Sequence, residues 1–213
     1  MLEMRRVDRA GGPKDPIIVL LHGRGATAAD LEPLADRLPP AVYAFPEAPF
    51  TAAQWGYGPG RAWYRYVGDD RPEPYTFSKS LSRLAAFLDA LADEPGAHAR
   101  ALVVGGFSQG GTLSLGYAIL RPGVVAGVLN FSGFLADHPE VELADERIRG
   151  LPVFWGHGLR DPAIPFTLAT TGRERLRAAG ADLEAHDYAI GHWIDADELS
   201  DAARWIARVA GTA

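Results

Sequence analysis

A serine between two glycines is the residue of this chain with the clearest potential for chemistry. It stands in the pattern Gly106-x-Ser108-x-Gly110, between an apolar run at 102–104 and a helix-like segment at 112–120. In this strand–turn–helix context the pattern predicts a nucleophile elbow. Such a turn strains the serine backbone, and side chains at positions 106 and 110 would collide with the neighbouring strand and helix. The alternative is a chance match in a chain with 24 glycines.

A serine hydroxyl attacks at neutral pH only when a base lies within hydrogen-bond reach. His192 follows the last predicted strand, and the carboxyl ends of parallel strands share one edge of a sheet. We therefore predict that His192 is the base, with a structural histidine beside Trp193 as the alternative. The other histidines are expected to fix loops (His22 and His157), to be solvated (His98 and His138) or to point outward from a strand (His186).

The base in turn needs a carboxylate to orient it. Hydrolases with a nucleophile elbow have the chain order serine, acid, histidine, so the acid is expected between residues 108 and 192. Asp161 fits best, because it follows a predicted strand at 151–155 and Pro162 fixes the turn after it. The alternatives, expected at solvated loop or strand positions, are Asp137, Asp145 and Asp187.

Two backbone N–H groups aimed at one point would stabilise the oxyanion of an acyl-transfer reaction. One is expected from Gln109, directly after the nucleophile and at the amino end of its helix. The other is expected from Arg24, because Gly23 and Gly25 leave its backbone free to point inward. An ordinary glycine turn is the alternative interpretation of residues 23–25.

The elements that must hold these residues alternate between strand and helix. Strands are predicted at 2–9, 17–21, 41–45, 102–104, 124–131, 151–155 and 182–188. Helices are predicted after Thr27 up to Pro39, from about 76 to 92, and at 112–120, 165–179 and 195–209. This alternation predicts an α/β fold with a mainly parallel central sheet and helices on both faces. No repeat or linker divides the chain, so a single domain over 1–213 is expected.

Helix starts are indicated by short polar residues. Thr27 with Asp30 resembles a capping box for the first long helix. Thr76 or Ser78 is the expected cap of the second, and Asp195 that of the closing helix.

Residues 46–74 show no clear periodicity and are rich in proline, glycine and aromatic side chains. A long irregular loop inside a compact domain is usually functional. Trp63 and Tyr64 of this loop, with Phe134, are the candidate lining of an apolar acyl site, unless they only anchor the loop to the core. The loop is too short for a large lid domain, so an open groove for small or medium esters is expected.

Composition narrows the function further. With 213 residues, 47% of them hydrophobic, the chain can bury an ordinary globular core. The absence of cysteine excludes disulfides and a cysteine nucleophile, and the net charge of −6 argues against a nucleic-acid partner. The start lacks a signal-peptide pattern, and no apolar run approaches the ~20 residues of a membrane span. A cytoplasmic location without integral membrane association is expected.

Five segments together resemble the carboxylesterase/phospholipase family of α/β-hydrolases, which includes the acyl-protein thioesterases. They are Leu-His-Gly-Arg-Gly at 21–25, Gly-Phe-Ser-Gln-Gly-Gly-Thr-Leu-Ser-Leu at 106–115, Phe-Ser-Gly-Phe-Leu at 131–135, His-Gly-Leu-Arg-Asp-Pro-Ala-Ile-Pro at 157–165 and Gly-His-Trp at 191–193. The resemblance runs from about residue 17 to the C-terminus. It implies the α/β-hydrolase fold, the triad Ser108, Asp161 and His192, and an oxyanion hole formed by the N–H groups of Arg24 and Gln109.

Two segments depart from the usual family pattern. The family commonly has His-Gly-Leu-Gly-Asp in its first loop and Trp-Phe-Asp before its long helix. This chain has Arg24 and Ala26 in the first segment and Tyr64 and Arg65 in the second. Charge therefore changes from acidic to basic close to the expected acyl pocket, and Arg24 or Arg65 could favour an anionic substrate group.

The expected function is a serine carboxylesterase that cleaves short- to medium-chain carboxylic esters through an acyl-enzyme, without metal or cofactor. A lysophospholipase or an acyl-protein thioesterase would use the same triad. A ligand-binding protein on a hydrolase scaffold is the non-enzymatic alternative, although a binder has no reason to keep all three triad residues. The partner is then a small ester or thioester, and the oligomeric state is open, a homodimer included.

Overall fold

The computed structural model describes residues 2–68 and 71–211. The strands in them are β1 Met4–Asp8, β2 Ile17–Leu21, β3 Val42–Pro46, β4 Phe50–Thr51, β5 Arg61–Ala62, β6 Leu102–Phe107, β7 Gly127–Phe131, β8 Pro152–Gly158 and β9 Asp182–Tyr188. The α-helices are α1 Ala28–Leu31, α2 Pro74–Ala92, α3 Gln109–Leu120, α4 Asp145–Ile148, α5 Phe166–Ala178 and α6 Ala196–Val209.

Seven strands form the central sheet, in the order β1-β3-β2-β6-β7-β8-β9. In this sheet only the edge strand β1 runs antiparallel to its neighbour, β3, and every other neighbouring pair is parallel. The short strands β4 and β5 pair with each other outside this sheet. The predicted α/β fold with a mainly parallel sheet is confirmed, including the edge strand near the amino terminus.

Both faces of the sheet are buried, which explains why β2 is apolar without interruption. In β2, Ile18 and Leu20 belong to one hydrophobic cluster, whereas Val19 and Leu21 belong to the other. Helices α2, α3 and α5 contribute to the cluster around Val19, and α1 and α6 to the cluster around Ile18. The prediction of helices on both faces is therefore confirmed.

The sheet has its topological switch point between β2 and β6. These strands are neighbours, but the helix that follows β2 and the helix that follows β6 cover opposite faces of the sheet. The chain segments that leave the carboxyl ends of the two strands therefore diverge. Open α/β sheets bind their ligands in the crevice that this divergence leaves.

The first predicted long helix is wrong in its length. Helix α1 ends at Leu31, and a 3-10 helix, Glu32–Asp36, continues from it. Pro33 lies at the start of this 3-10 helix and has no N–H to donate to an i−4 carbonyl. The predicted capping contact is present, since the Asp30 carboxylate accepts hydrogen bonds from the N–H and the hydroxyl of Thr27 at 2.7 and 2.8 Å.

The start of α2 also differs from the prediction. Neither Thr76 nor Ser78 is the cap: Glu73 precedes the helix, and its carboxylate accepts from the N–H groups of Tyr75 and Thr76 at 3.1 and 2.8 Å. Pro74 at the first helical position is the local signal for this start. The helix predicted at 165–179 is present as α5, and Gly180 with φ +87° follows it. Asp195 caps α6 as predicted.

The irregular stretch at 46–74 contains the β4–β5 pair and a 3-10 helix, Ala52–Trp55. Its described residues form no separate lid domain, as predicted. In the part of the chain that the structure describes, no helix has the length and apolarity needed to cross a membrane.

Candidate active site

Ser108 lies at a sharp turn between strand β6, which ends at Phe107, and helix α3, which begins at Gln109. Its φ is +55° and its ψ −115°, a conformation that non-glycine residues rarely adopt. The Ser108 N–H donates to the carbonyl of Phe131 on the neighbouring strand β7 at 2.8 Å, which holds the turn against the sheet. Backbone strain of this kind is typical of functional sites.

The two glycines of the Gly-x-Ser-x-Gly pattern have no room for a side chain. A Cβ at Gly106 would lie 2.2 Å from the carbonyl oxygen of Leu21, and a Cβ at Gly110 would lie 1.9 Å from the same oxygen. Strand β2 and the start of α3 therefore approach each other as closely as the backbone allows. The predicted collisions at positions 106 and 110 are confirmed.

A chain of hydrogen bonds joins Ser108, His192 and Asp161. The distance from His192 Nε2 to Ser108 Oγ is 3.0 Å, and His192 Nδ1 lies 2.6 Å from Asp161 Oδ2. Since Nδ1 faces a carboxylate, it is the nitrogen that carries the proton, and Nε2 is left with a lone pair towards the serine hydroxyl. This is the arrangement in which an imidazole can remove a proton from Ser108.

The Asp161 carboxylate is held in place from its other side. Asp161 Oδ1 accepts hydrogen bonds from the N–H groups of Ala163 and Ile164 at 2.8 and 2.9 Å, and its side chain is fully buried. These bonds supply the partners that a buried carboxylate requires. Of the alternative acids, Asp187 pairs with Arg173 at 2.5 Å and Asp137 is exposed.

Two further histidines fix the loops around this site, as expected. His22 is fully buried; the Ala48 N–H donates to its Nε2 at 3.1 Å, so Nδ1 carries the proton and donates to the carbonyl of Gly23 at 2.8 Å. His157 donates from Nε2 to the carbonyl of Ile164 at 3.0 Å and so ties down the loop that carries the acid. Burial lowers the pKa of both imidazoles, which keeps them neutral near pH 7.

Two other expectations for histidines were less accurate. His138 is buried rather than solvated: its ring packs against Phe77, and its Nδ1 accepts from the Glu140 N–H at 3.1 Å. His186 is half-buried and lies 2.9 Å from Glu184 Oε1. His98 is exposed.

The two expected oxyanion donors lie at the carboxyl ends of β2 and β6, on either side of the switch point. The amide of Gln109 is the first of α3 and has no i−4 carbonyl inside the helix. The loop of Arg24 is tied to β5 by bonds of 2.8 Å from the Gly25 N–H to the Arg61 carbonyl and from the Arg61 N–H to the Ala26 carbonyl. Among the described hydrogen bonds, none is donated by the Arg24 amide.

The side chain of Gln109 has a separate structural role that the sequence did not indicate. Its Oε1 accepts from the Trp63 N–H at 3.0 Å and its Nε2 donates to the Tyr64 carbonyl at 2.8 Å. The Gln109 side chain therefore holds the backbone of residues 63–64 against the start of α3.

The three aromatic residues expected to line an acyl pocket lie elsewhere. Trp63, Tyr64 and Phe134 are fully buried, and the indole N–H of Trp63 donates to the carbonyl of His22 at 2.9 Å. The alternative interpretation, that they anchor the loop to the core, describes their positions better. Their indirect effect is to support the loop residues that face the site.

An open cavity of about 470 Å³ lies over Ser108 and His192. Four segments form its walls. They are the first loop with Gly23, Arg24 and Ala26, Phe107 before Ser108, the end of the aromatic loop with Tyr66 and Gly68, and residues 162–165 after Asp161. This volume is typical of a site for a small molecule. The Ser108 hydroxyl and the His192 imidazole are thus accessible from the same space.

The family model described as phospholipase/carboxylesterase matches residues 2–210. The chain belongs to the phospholipase/carboxylesterase family. Membership makes it a serine hydrolase of carboxylic esters or thioesters, and the α/β-hydrolase fold follows with it.

Individual relatives are distant. A probable inactive carboxylesterase of Oryza sativa is 28% identical over 214 residues, covering 92% of this chain and 86% of its own length. Acyl-protein thioesterase 1 of Debaryomyces hansenii is 27% identical over 220 residues, covering 94% of each chain. The crystal structure of acyl-protein thioesterase 2 from Zea mays superposes with a TM-score of 0.81 at 22% identity, covering 99% of this chain and 100% of that one, which shows the shared fold.

The departures from the usual family motifs differ in where they lie. Arg24 is exposed and lines the cavity, whereas Arg65 is exposed outside the lining and contributes to lowering the pKa of Glu73. Of these two arginines, Arg24 alone lines the cavity over Ser108.

Sequence reasoning missed three parts of the cavity wall. Phe107 packs its ring against the imidazole of His192 with 4.6 Å between centroids, and its place beside Ser108 in the motif was an available signal. Residues 162–165 directly follow the predicted acid, which was a second signal. Tyr66 belongs to the aromatic loop, but nothing in the sequence distinguished it from Trp63 and Tyr64.

Proposed function

We propose that this chain hydrolyses short- to medium-chain carboxylic esters through an acyl-enzyme formed on Ser108. The observation that carries the proposal is the hydrogen-bonded sequence from Ser108 Oγ through His192 to the buried Asp161 carboxylate. Family membership supports the reaction class at the coarser level of ester or thioester hydrolysis.

In the first half of the reaction, His192 Nε2 removes the hydroxyl proton as Ser108 Oγ attacks the ester carbonyl carbon. Asp161 stabilises the imidazolium that forms and keeps the ring in its orientation. His192 then gives the proton to the leaving alcohol, and the acyl group stays on Ser108. In the second half, His192 Nε2 takes a proton from a water molecule as the water attacks the acyl carbon. The bond from that carbon to Ser108 Oγ then breaks, the carboxylic acid leaves, and His192 returns the proton to Ser108 Oγ.

The amides of Arg24 and Gln109 are the proposed donors to the oxyanion of the tetrahedral intermediates. They belong to the carboxyl ends of the two strands that flank the switch point, and the amide of Gln109 is at the positive end of the α3 dipole. Backbone donors fixed in this way need no reorganisation as charge develops. Each is expected to contribute about 10²–10³ in rate.

The size of the cavity supports short to medium acyl chains. At about 470 Å³ it lies in the lower part of the range for small-molecule sites and is bounded by Tyr66 on one side and 162–165 on another. Long acyl chains would extend beyond these walls into solvent, where they gain little from burial.

A thioesterase or a lysophospholipase is the second candidate, because the same triad cleaves thioesters and phospholipid esters. The relative from Debaryomyces hansenii is named acyl-protein thioesterase 1, which favours including thioesters in the tests. The binding-protein alternative is prompted by the relative named probable inactive carboxylesterase. The intact hydrogen bonds between Ser108, His192 and Asp161 argue against inactivity here.

The test is hydrolysis of p-nitrophenyl esters from acetate to palmitate, with acyl thioesters of the same lengths assayed in parallel by thiol release. We expect turnover to peak at a short or medium chain and to be lost in Ser108→Ala. Ser200→Ala is the matched control, because Ser200 is exposed on α6. No turnover of any oxygen ester by folded wild type, together with thioester turnover, would replace the proposal with a thioesterase. No turnover of either would favour the binding protein.

A further inference from the structure

Arg24 lines the cavity over the proposed active site, and its side chain has no acidic partner among residues 2–68 and 71–211. Its guanidinium carbon lies 4.9 Å from the ring centroid of Tyr57 and 5.5 Å from that of Tyr66. Among the ion pairs and hydrogen bonds of the described residues, none involves the guanidinium of Arg24. Some surface arginines elsewhere pair with carboxylates, for example Arg6 with Glu94 at 2.7 Å and Arg121 with Asp89 at 3.2 Å.

The described residues that line the cavity include no acidic side chain that could neutralise this charge. Apart from Arg24 and His192, its described lining residues are uncharged, and the Asp161 carboxylate is buried behind the imidazole. A cavity wall with one unpaired cation raises the local concentration of anions and favours anionic ligands.

The backbone fixes Arg24 tightly, so its side chain starts from a defined point. Gly25 has φ +78°, and a Cβ there would lie 2.3 Å from the carbonyl oxygen of Tyr57, so only glycine allows this contact. The same contact places Tyr57 beneath the guanidinium. The guanidinium lies over the rings of Tyr57 and Tyr66, and none of the described hydrogen bonds uses its N–H groups, so these groups remain to bind a ligand.

We propose that Arg24 makes this enzyme selective for esters that carry a carboxylate near the scissile bond. The inference rests on the proposed function, because the amide of Arg24 is taken as an oxyanion donor, so its side chain starts next to the reacting carbonyl. A planar carboxylate matches the two-pronged N–H edge of a guanidinium. The carboxylate can belong to the acyl part or to the leaving group, and the chemistry of recognition is the same.

The experiment compares esters that differ in one carboxylate. On the acyl side the pair is p-nitrophenyl hydrogen adipate and p-nitrophenyl hexanoate; on the leaving-group side it is the butyrate of 5-hydroxy-2-nitrobenzoate and p-nitrophenyl butyrate. For each pair the readout is the ratio of kcat/KM, acidic over neutral, after subtraction of spontaneous hydrolysis. A ratio cancels any effect of the substitution that is common to both esters.

We expect Arg24→Ala to lower this ratio by about tenfold in at least one pair, mainly through KM, as a charge-assisted hydrogen bond at a partly exposed site allows. Arg24→Lys should give an intermediate ratio, because an ammonium keeps the charge but not the planar edge. Arg65→Ala is the charge-matched control and should leave both ratios unchanged. The pair that responds tells which side of the ester carries the carboxylate.

Two outcomes would overturn the proposal: equal ratios in wild type and Arg24→Ala for both pairs, or an equal fall in Arg65→Ala, which would indicate a general effect of net charge. Either result, with Ser108-dependent hydrolysis of the neutral esters intact, rejects the selectivity alone. Loss of Ser108-dependent turnover on all esters would instead reject the proposed function.

Discussion

Two serines stand side by side at the carboxyl ends of neighbouring strands, and they differ in what surrounds their hydroxyl groups. Ser108 follows Phe107 at the end of β6, and Ser132 follows Phe131 at the end of β7; the two phenylalanines are register partners. Both serines have a positive φ, +55° and +53°, and each donates its N–H to the next strand. Their backbones are thus alike in strain and in support.

The difference lies beyond the backbone. Ser108 Oγ has His192 Nε2 at 3.0 Å, whereas Ser132 Oγ has no hydrogen-bond partner among the described residues and lies fully buried. A strained serine at a strand end is therefore not enough to suggest a nucleophile. What distinguishes Ser108 is an oriented base within reach and a cavity that opens above it.

The largest expected effect separates the two hydroxyl groups. Ser108→Ala should lower kcat for the best ester by at least about 10⁴-fold, because the nucleophile is lost and the triad acts as a unit. Ser132→Ala should stay within a few-fold of wild type, since its hydroxyl makes no hydrogen bond that the reaction could use. Steady-state kinetics on purified variants measure both. Comparable losses of kcat in the two variants would show that the neighbouring His192 does not distinguish Ser108 from Ser132.

A second expected effect concerns Glu198, a buried carboxyl group next to the strand that supports Ser132. The Ser132 N–H donates to the Gly156 carbonyl at 2.9 Å, and Glu198 of α6 lies directly against Gly156, where a Cβ would come within 2.0 Å of its Oε1. Glu198 is fully buried with neither carboxyl oxygen hydrogen-bonded in the described part of the chain. Burial raises the pKa of Glu198 to about 8, helped by the nearby Asp195 and Asp201 and opposed by Arg173.

This raised pKa makes stability fall as pH rises. Below the ordinary value of 4.5 the carboxyl is neutral in both states; between 4.5 and about 8 the unfolded chain has released the proton while the folded chain still holds it. The free energy of unfolding should fall by on the order of 4 kcal/mol across that interval. Glu198→Gln should therefore gain stability relative to wild type as pH increases from 5 to 9.

Urea denaturation at a series of pH values measures the gain. Glu174→Gln, at an exposed position on α5, is the control and should show no such trend. A stability difference between Glu198→Gln and wild type that stays constant from pH 5 to pH 9 would mean that Glu198 is not held neutral. At any one pH, the hydrolytic activities of Glu198→Gln and wild type should differ only as their folded fractions differ. The reason is that Glu198 is outside the hydrogen bonds that join Ser108, His192 and Asp161.

The contrast between the serines also shows which features a sequence can reveal. The elbow at Ser108 could be predicted because its signals are local: an apolar strand, flanking glycines and a helix in immediate succession. His192 followed from one further rule, that the carboxyl ends of parallel strands share an edge of the sheet. Asp161 followed from the chain order serine, acid, histidine and from its place after a predicted strand. The positive φ of Ser132 could not be predicted, because no pattern of neighbouring residue types indicates it.

Other features depend on contacts between distant segments and could not be predicted. The burial of Trp63 and Tyr64 results partly from the Gln109 side chain, 46 and 45 residues away, which bonds their backbone groups. Two errors had local signals that were not used: Pro33, which ends α1 early, and Pro74, which marks the start of α2. In the first case the hydrophobic periodicity predicted a single long helix, although Pro33 argues against one. In the second case the preference for small capping residues predicted Thr76 or Ser78, although Pro74 marks an earlier start.

The smallest expected effect tests whether both serines store strain. Replacement by glycine removes the Cβ that makes a positive φ costly, and a strained residue of this kind costs on the order of 1–3 kcal/mol. The gain is partly offset, because glycine has more conformational freedom in the unfolded chain. Ser108→Gly and Ser132→Gly should each raise the free energy of unfolding by about 1 kcal/mol, and only Ser108→Gly should lose activity. Ser200→Gly, inside the exposed face of α6, should instead lose about 0.5 kcal/mol. If Ser108→Gly and Ser132→Gly are both destabilised as Ser200→Gly is, the positive φ angles at the two serines store no strain. The two turns would then share a backbone shape without sharing an energetic cost.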